Sequence, residues 1–520
     1  MYGMGGLLEK AARFYPARCA IADKEGCRPY RELNERVDGI CAAFAAAGLK
    51  KGDRLGIVCD NRNEFAEVWL ATQKCGVVAV LLNYQVSPDE MIRDLNRSGC
   101  VGAFAPGPWA RALSSKLPAS ITLFSFHCAD APAVVDLGRS CAVPAPPPQT
   151  VIRETDWSTI LFTSGSTGLS KGVVRTHRMV FEYAMQLAAE HEFYKTDPVR
   201  ILSHSPLFHT GGLSMLMKAL ALGGTYITVR GFDPDEVCSL IERYRATQLF
   251  LVPPSNIMRL YRMAEKRACY DLSSVNFVWA TGGKLSLSYV LAMLDFFPGA
   301  RIKTSYGGTE FCAACSVSYA LTPQQARADP QLFESAGYVG QFVDMRLVDE
   351  KGRDVAPGEP GEVWVSSPFV MLGYLDEPER TGEVLSGDWY RTGDIFRQDD
   401  RGLLYFVDRK SAMIKTGGEN VYPLEVESVM RRHPAVIDCA VCAHPDPEWD
   451  ESVAVALLLE EGADLAEVCR FARDNLVGFR RPRYYLVLDE LPKTASGTVD
   501  RRAFRDAGRF AFKSVKEIIG

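Results

Sequence analysis

A chain of 520 residues exceeds what one hydrophobic core usually serves, so at least two domains are expected. With 47% apolar and 24% charged residues, the composition is that of an ordinary globular protein and excludes a low-complexity or fibrous chain. A formal charge of −5 is small for this length and leaves no electrostatic reason to expect a nucleic-acid partner.

The first residues, Met1-Tyr2-Gly3-Met4-Gly5-Gly6-Leu7-Leu8-Glu9-Lys10, carry no basic n-region, and glycines and then charges break the apolar stretch. No secretory signal is expected there. No uninterrupted apolar run is long enough to span a bilayer, so the sequence predicts a cytoplasmic protein without an integral membrane segment.

Strand-like and helix-like stretches alternate through the first two thirds. Arg54-Leu55-Gly56-Ile57-Val58-Cys59 predicts a strand, Asn63 to Cys75 a helix, and Val77-Val78-Ala79-Val80-Leu81-Leu82 another strand. That rhythm predicts an α/β class with parallel-rich sheets flanked by helices. Val143-Pro144-Ala145-Pro146-Pro147-Pro148 reads as a stiff, extended connector leading to a buried strand, Ser158-Thr159-Ile160-Leu161-Phe162. After about residue 340, turn signals at Asp349-Glu350-Lys351-Gly352 and Asp399-Asp400-Arg401-Gly402 predict a β-rich, antiparallel subdomain. Beyond Asp408 the pattern becomes α+β, with a helix from about Leu424 to Arg432 and strands near Val436–Cys442 and Val453–Leu459. A second helix, from about Leu465 to Leu476, and a strand at Tyr484–Leu488 complete it. The predicted division is a large N-terminal domain, 1–407, and a small C-terminal domain, 408–520.

Fifteen cysteines in a reducing compartment are expected to be free. The C-x-x-C pairs Cys312/Cys315 and Cys439/Cys442 sit in apolar runs without neighbouring His or Asp ligands, which predicts buried thiols and no zinc site.

The strongest local signal is Thr163-Ser164-Gly165-Ser166-Thr167-Gly168-Leu169-Ser170-Lys171-Gly172. Glycines let backbone N–H groups approach phosphate oxygens, hydroxyls add donors, and the lysine brings positive charge. It is not a Walker A loop, and a flexible surface loop is the ordinary alternative. Further along stand Pro206-Leu207-Phe208-His209-Thr210-Gly211-Gly212, Ala280-Thr281-Gly282-Gly283 and Tyr306-Gly307-Gly308-Thr309-Glu310. Trp389-Tyr390-Arg391-Thr392-Gly393-Asp394, Asp408-Arg409-Lys410 and Gly417-Gly418-Glu419-Asn420-Val421-Tyr422-Pro423-Leu424-Glu425-Val426-Glu427 follow. In this order the motifs resemble those of the adenylate-forming superfamily of acyl- and aryl-CoA synthetases, peptide-synthetase adenylation domains and beetle luciferases. The resemblance covers nearly the whole chain.

The resemblance implies a role for each position. Thr163, Ser164, Gly165, Ser166, Thr167, Gly168 and Lys171 would grip phosphates, alongside Gly282, Gly283 and Gly307 in the nucleotide site. Tyr306 would stack on adenine, Thr309 would hydrogen-bond phosphate, and Glu310 would help hold Mg²⁺. Asp394 would accept from both ribose hydroxyls, and Arg409 would reach the ribose or phosphate from the hinge. His209, Gly308, Phe311 and Cys312 would line the acyl pocket, with His209 a gate or wall and not a general base. Lys415, Gly417, Gly418 and Glu419 would form a strand beside the thiol tunnel. The C-terminal domain would be mobile about a hinge near 408–412. The implied reaction is that of an AMP-forming acid–CoA ligase: a carboxylate attacks the α-phosphate of MgATP, and CoA thiol then displaces AMP.

Two departures bear on that reading. Ser170 replaces the loop's usual proline, and Ser411 replaces the usual hinge Asp or Lys. A third is larger. In Leu491-Pro492-Lys493-Thr494-Ala495-Ser496-Gly497-Thr498-Val499-Asp500-Arg501-Arg502 everything matches except Thr498, where the family carries the lysine that bridges carboxylate and α-phosphate. Losing one transition-state donor costs about 2.7–4 kcal/mol, so adenylation is expected to be impaired unless Lys493 or a nearby arginine substitutes. Slow adenylation, transfer to CoA of an acyl-AMP made by a partner enzyme, and an engineered lysine replacement all stay open. So do an acyl-AMP ligase that loads a carrier-protein thiol and a catalytically weak acyl-adenylate or nucleotide binder.

Overall fold

The computed structural model describes residues 3–126, 134–163, 170–189, 198–283, 285–319, 321–416, 419–446, 449–492, 499–505 and 510–519. The early alternation folds as expected: strand Arg54–Val58, helix Asn63–Cys75 and strand Val78–Leu82, with the two strands parallel. Gly76 stops the helix in the left-handed conformation, at φ 79°, which costs glycine little.

These strands sit inside an eight-stranded sheet. Trp157–Thr163, Val78–Leu82, Arg54–Val58, Cys100–Phe104, Thr122–Ser125 and Val134–Asp136 run parallel, and Lys171–Thr176 and Gly373–Tyr374 close one side antiparallel. A nine-stranded sheet repeats the scheme. Its parallel part runs Arg301–Gly308, Phe277–Ala280, Gln248–Leu251, Arg200–Ser203, Thr225–Thr228 and Cys19–Asp23. Cys312–Tyr319 and Tyr338–Val339 finish one edge and Gly26–Pro29 the other, all antiparallel. Parallel strands are buried on both faces, which is why Val78–Leu82 is apolar at every position.

Compactness divides the chain into one unit of Met1–Met345 with Val365–Tyr390 and a second of Arg346–Trp364 with Arg391–Gly520. Part of the β-rich stretch ahead of Asp408 thus groups with the C-terminal residues. The cause is local. Strand Leu404–Arg409 pairs with Trp389–Gln398 ahead of the helix Pro423–Met430, and the buried Asp408 carboxylate accepts from Leu424 N at 2.9 Å, at that helix's start. The turn signals act as expected. Asp399 accepts from Arg401 N and Leu403 N, and Gly402 takes φ 82°.

The C-terminal α+β pattern comprises strands Val436–Asp446, Asp450–Leu459 and Tyr484–Val487 with helices Pro423–Met430 and Leu465–Asn475. Val426, Met430, Val468 and Ala472 from the two helices pack on Val441, Val455 and Leu457. Cys312, Cys315, Cys439 and Cys442 are buried and take part in no disulfide, and burial pushes the Cys312 thiol up to about 11. Among the described residues no helix is long and apolar enough to cross a membrane.

Candidate functional site

The phosphate-loop candidate is the connection of a β-hairpin. Strand Trp157–Thr163 pairs antiparallel with Lys171–Thr176, and Thr163 stands opposite Lys171. Strand pairing therefore closes the ends of the loop and fixes Lys171 at its exit. Ser164, Gly165, Ser166, Thr167 and Gly168 lie outside the described residues. Arg97, the last residue of helix Pro88–Arg97, donates to the Ser170 carbonyl, and its guanidinium lies 5.2 Å from the centre of the Phe162 ring.

A second hairpin, Arg301–Gly308 with Cys312–Tyr319, carries the Tyr306–Cys312 positions. Its register shifts between Tyr306 and Gly307, and Gly308 then faces Cys312 across a tight turn. A Cβ on Gly307 would overlap the Cys312 carbonyl oxygen, so this approach requires glycine. Phe311 and Cys312 are buried, and the Phe311 ring lies 5.4 Å from Tyr306 and stacks on Tyr390 at the same distance.

The two hairpins meet around Tyr374. This residue lies on Gly373–Tyr374, which pairs with Lys171–Thr176, and its hydroxyl donates to Glu310 Oε1 at 3.0 Å. Lys171 Nζ stands 4.7 Å from the centre of the same ring. Burial first, and the Glu310 carboxylate second, hold the Tyr374 hydroxyl well above the usual tyrosine range, so it stays a donor. A half-buried carboxylate oriented by a hydroxyl is the kind of oxygen donor that a hard divalent cation takes. This carboxylate fits Mg²⁺.

The other nucleotide-site candidates lie where the parallel strands end, the usual ligand crevice of such sheets. Gly282, with φ 82°, follows Phe277–Ala280, and the preceding Thr281 hydroxyl donates to the Ser305 carbonyl, next to Tyr306, at 2.7 Å. His209 precedes helix Thr210–Ala221 and packs on Phe208 with ring centres 4.2 Å apart. Its ring reaches solvent, yet enough protein surrounds it for desolvation to lower its pKa, the combination a cleft wall gives. Phe208 continues to Tyr84, and Tyr84 to Trp109, each at 5.5 Å.

Asn61 holds this crevice together. It is 2% exposed, follows the strand Arg54–Val58 of the first sheet, and donates through Nδ2 to the carbonyls of His204, Ser205 and Val229 in the second. Its Oδ1 accepts from Leu207 N at 2.9 Å, which fixes the segment leading to His209. Buried His204 lies beside it, with Nε2 3.3 Å from Asn256 Nδ2.

Burial pushes His177 and His204 down to about 4. Desolvation is the largest cause at both rings, which are therefore neutral in the fold. Above about pH 6.5 neither the folded nor the unfolded chain protonates them and nothing is lost. Between about 6.5 and 4 the unfolded chain binds protons that the fold does not, so stability falls. The expected loss is on the order of 2 kcal/mol for each histidine by about pH 5. Denaturant midpoints at about pH 7.5 and 5 check this, and a midpoint that rises on acidification contradicts it.

In the second unit, Asp394 and Arg409 are register partners across the hairpin Trp389–Gln398 and Leu404–Arg409, with Arg409 Nε 2.7 Å from Asp394 Oδ1. The two ribose-site candidates are thus brought together. Lys415 and Glu419 stand on a hairpin, Ile414–Thr416 with Glu419–Val421, and not on the single strand expected over Lys415–Glu419. In the sequence an adjacent pair of glycines is itself a hairpin-turn signal. Gly417 and Gly418 themselves lie outside the described residues, as do Lys493 and Thr498. Three residues past Thr498, Arg501 is anchored: its Nε and Nη2 donate to Glu427 Oε1 at 3.1 and 2.7 Å. Glu427 is 1% exposed and also accepts from Val441 N at 2.9 Å.

Local patterns do not single out Asn61 or Tyr374, because each acts through a partner far along the chain, and although Glu427 and Arg501 stand in the quoted motifs, their pairing is not readable there. A polar Asn61 shortly after the apolar Arg54–Cys59 run is the one visible signal for Asn61 and Tyr374.

A family model described as AMP-binding enzyme matches residues 8–375, and one described as AMP-binding enzyme C-terminal domain matches residues 425–498. A feruloyl-CoA synthase from Amycolatopsis sp is 32% identical over 96% of this chain and 97% of its own. Among solved structures, the amide bond synthetase McbA from Marinactinospora thermotolerans superposes with a TM-score of 0.81 at 28% identity, covering 96% of this chain and 99% of that one. The o-succinylbenzoate CoA synthetase MenE from Bacillus subtilis, in complex with its acyl-adenylate intermediate, gives 0.80 at 26% identity, over 97% and 99% of the two chains.

Proposed function

The chain belongs to the AMP-binding enzyme family, and on that footing we propose that it is an AMP-forming acid–CoA ligase acting on an aromatic carboxylic acid. The carrying observation is the meeting of Lys171 and Glu310 around Tyr374, a cation and an oriented carboxylate at one place. Lys171, Thr309 and the loop donors bind ATP phosphates, while Glu310 would help hold Mg²⁺, which would neutralise phosphate charge. Tyr306 takes the adenine, and Asp394 with Arg409 takes the ribose. The substrate carboxylate attacks the α-phosphate and pyrophosphate leaves; CoA thiol then attacks the acyl carbon and AMP leaves.

The aromatic class is supported by the feruloyl-CoA synthase likeness and by the Phe208, Tyr84 and Trp109 rings that continue from His209. His209 gates that cleft, with Gly308, Phe311 and Cys312 as wall. Lys415, Gly417, Gly418 and Glu419 serve the thiol half, and residues 408–412 form the hinge on which the C-terminal domain, 408–520, changes between halves. With Thr498 in place of lysine, the adenylating half is the slow one.

A panel of aromatic and fatty acids with ATP, Mg²⁺ and CoA tests the substrate class by thioester formation. Hydroxycinnamates such as ferulate are expected to lead. A preference for fatty acids would overturn the aromatic class, and transfer to a phosphopantetheinylated carrier protein in place of CoA would overturn the acceptor.

A further inference from the structure

We propose that Arg175 is a positioning residue for the nucleotide half of the reaction, a buried cation that holds the Thr309–Glu310 turn from behind. The inference rests on the reading of that turn as the MgATP site. Arg175 lies on strand Lys171–Thr176, four residues past the loop lysine, and is 2% exposed. Its Nη2 donates to the Thr309 carbonyl, and the guanidinium reaches the Cys312 thiol. Its Nε is buried and has no hydrogen-bond partner among the described residues.

Thr309 and Cys312 bracket Glu310, and Cys312 adopts φ 60°, a left-handed conformation that a side chain disfavours. A turn of this kind needs an external hold, and Arg175 provides it on the carbonyl next to Glu310. A guanidinium stays charged at every working pH, and burying it without a carboxylate is costly. The described residues place no carboxylate at ion-pair distance from Arg175; a neutral carbonyl and a thiol are what it meets. An apolar side chain of similar length would pack there at lower cost, so the charge has a task that packing does not explain. That task is to set the turn, and to add fixed positive potential in a low-dielectric surround next to the site where anionic phosphate is held.

The test compares wild type with Arg175→Met and Arg175→Lys by calorimetric binding of ATP with Mg²⁺ and of adenosine, which lacks phosphate. Arg175→Met is expected to weaken MgATP binding roughly 10- to 100-fold, the range for one lost charge-assisted hydrogen bond, with adenosine affinity unchanged. Arg175→Lys, which keeps the charge but not the planar fork, is expected to recover part of that loss. Equal weakening of MgATP and adenosine, or unchanged MgATP affinity, would overturn the role. If Arg175→Met does not fold, Arg175→Lys decides alone: weaker MgATP binding with intact adenosine binding supports the role, and unchanged MgATP binding overturns it. A wild type that binds adenosine but no MgATP would instead overturn the functional reading itself, and this role with it.

Discussion

Thr498→Lys is expected to raise carboxylate-dependent pyrophosphate exchange by roughly 10²–10³, the factor that one well-aimed transition-state donor supplies. The motif around position 498 is otherwise complete, from Leu491-Pro492 to Arg501-Arg502. Arg501, three residues past position 498, is already fixed to the buried Glu427. On the proposed mechanism charge is the missing part: as the carboxylate approaches the α-phosphate, two anionic groups converge, and a hydroxyl would offer them a dipole where an ammonium would offer a full charge. The gain should appear in exchange and not in thioester formation from a supplied adenylate, which does not require that charge. Equal exchange rates for wild type and Thr498→Lys would mean that another cation already fills the role.

Glu427→Ala is expected to destabilise the C-terminal unit by about 1–3 kcal/mol, the usual cost of removing a buried acceptor, since the partner side chains Arg501 and Arg431 stay 28% and 41% exposed. The carboxylate is 1% exposed, accepts two bonds from Arg501 and one from Val441 N, and lies 3.2 Å from Arg431 Nη2. Truncation takes this acceptor from the Arg501 guanidinium and the buried Val441 N–H, while Arg431 keeps Asp438 Oδ1 and the Cys439 carbonyl. Denaturant unfolding of the variant measures the loss. A loss below about 1 kcal/mol would place the pair among ordinary surface contacts.

Much of the fold is legible in the sequence. Fully apolar stretches such as Val78–Leu82 mark buried parallel strands, and the Asp-initiated turns at Asp349 and Asp399 fold as their chemistry dictates. The ordered motifs locate Lys171, Glu310, Asp394 and Arg409, and the structure brings them together as pairs or around one ring. What local pattern cannot carry is contact between distant segments. Tyr374 reaches Glu310 across 64 residues, Arg175 reaches Thr309 across 134, and Asn61 reaches His204 across 143. Those partners are set by which strands become neighbours, a property of the whole sheet order. The Lys415–Glu419 hairpin is a different case: its two adjacent glycines announce a turn, and that signal outweighs the extended strand that a thiol tunnel would suggest.

On the proposed mechanism the chain makes acyl-CoA through an adenylate, with the first half slowed by Thr498. Separate rates of the two halves in the unmodified protein test it most directly: pyrophosphate exchange with an aromatic acid, and AMP release from the synthetic acyl-adenylate on adding CoA. The second is expected to exceed the first by roughly 10² or more. Comparable rates would contradict the slowed first half, and no CoA-dependent release of AMP would contradict the ligase reading altogether.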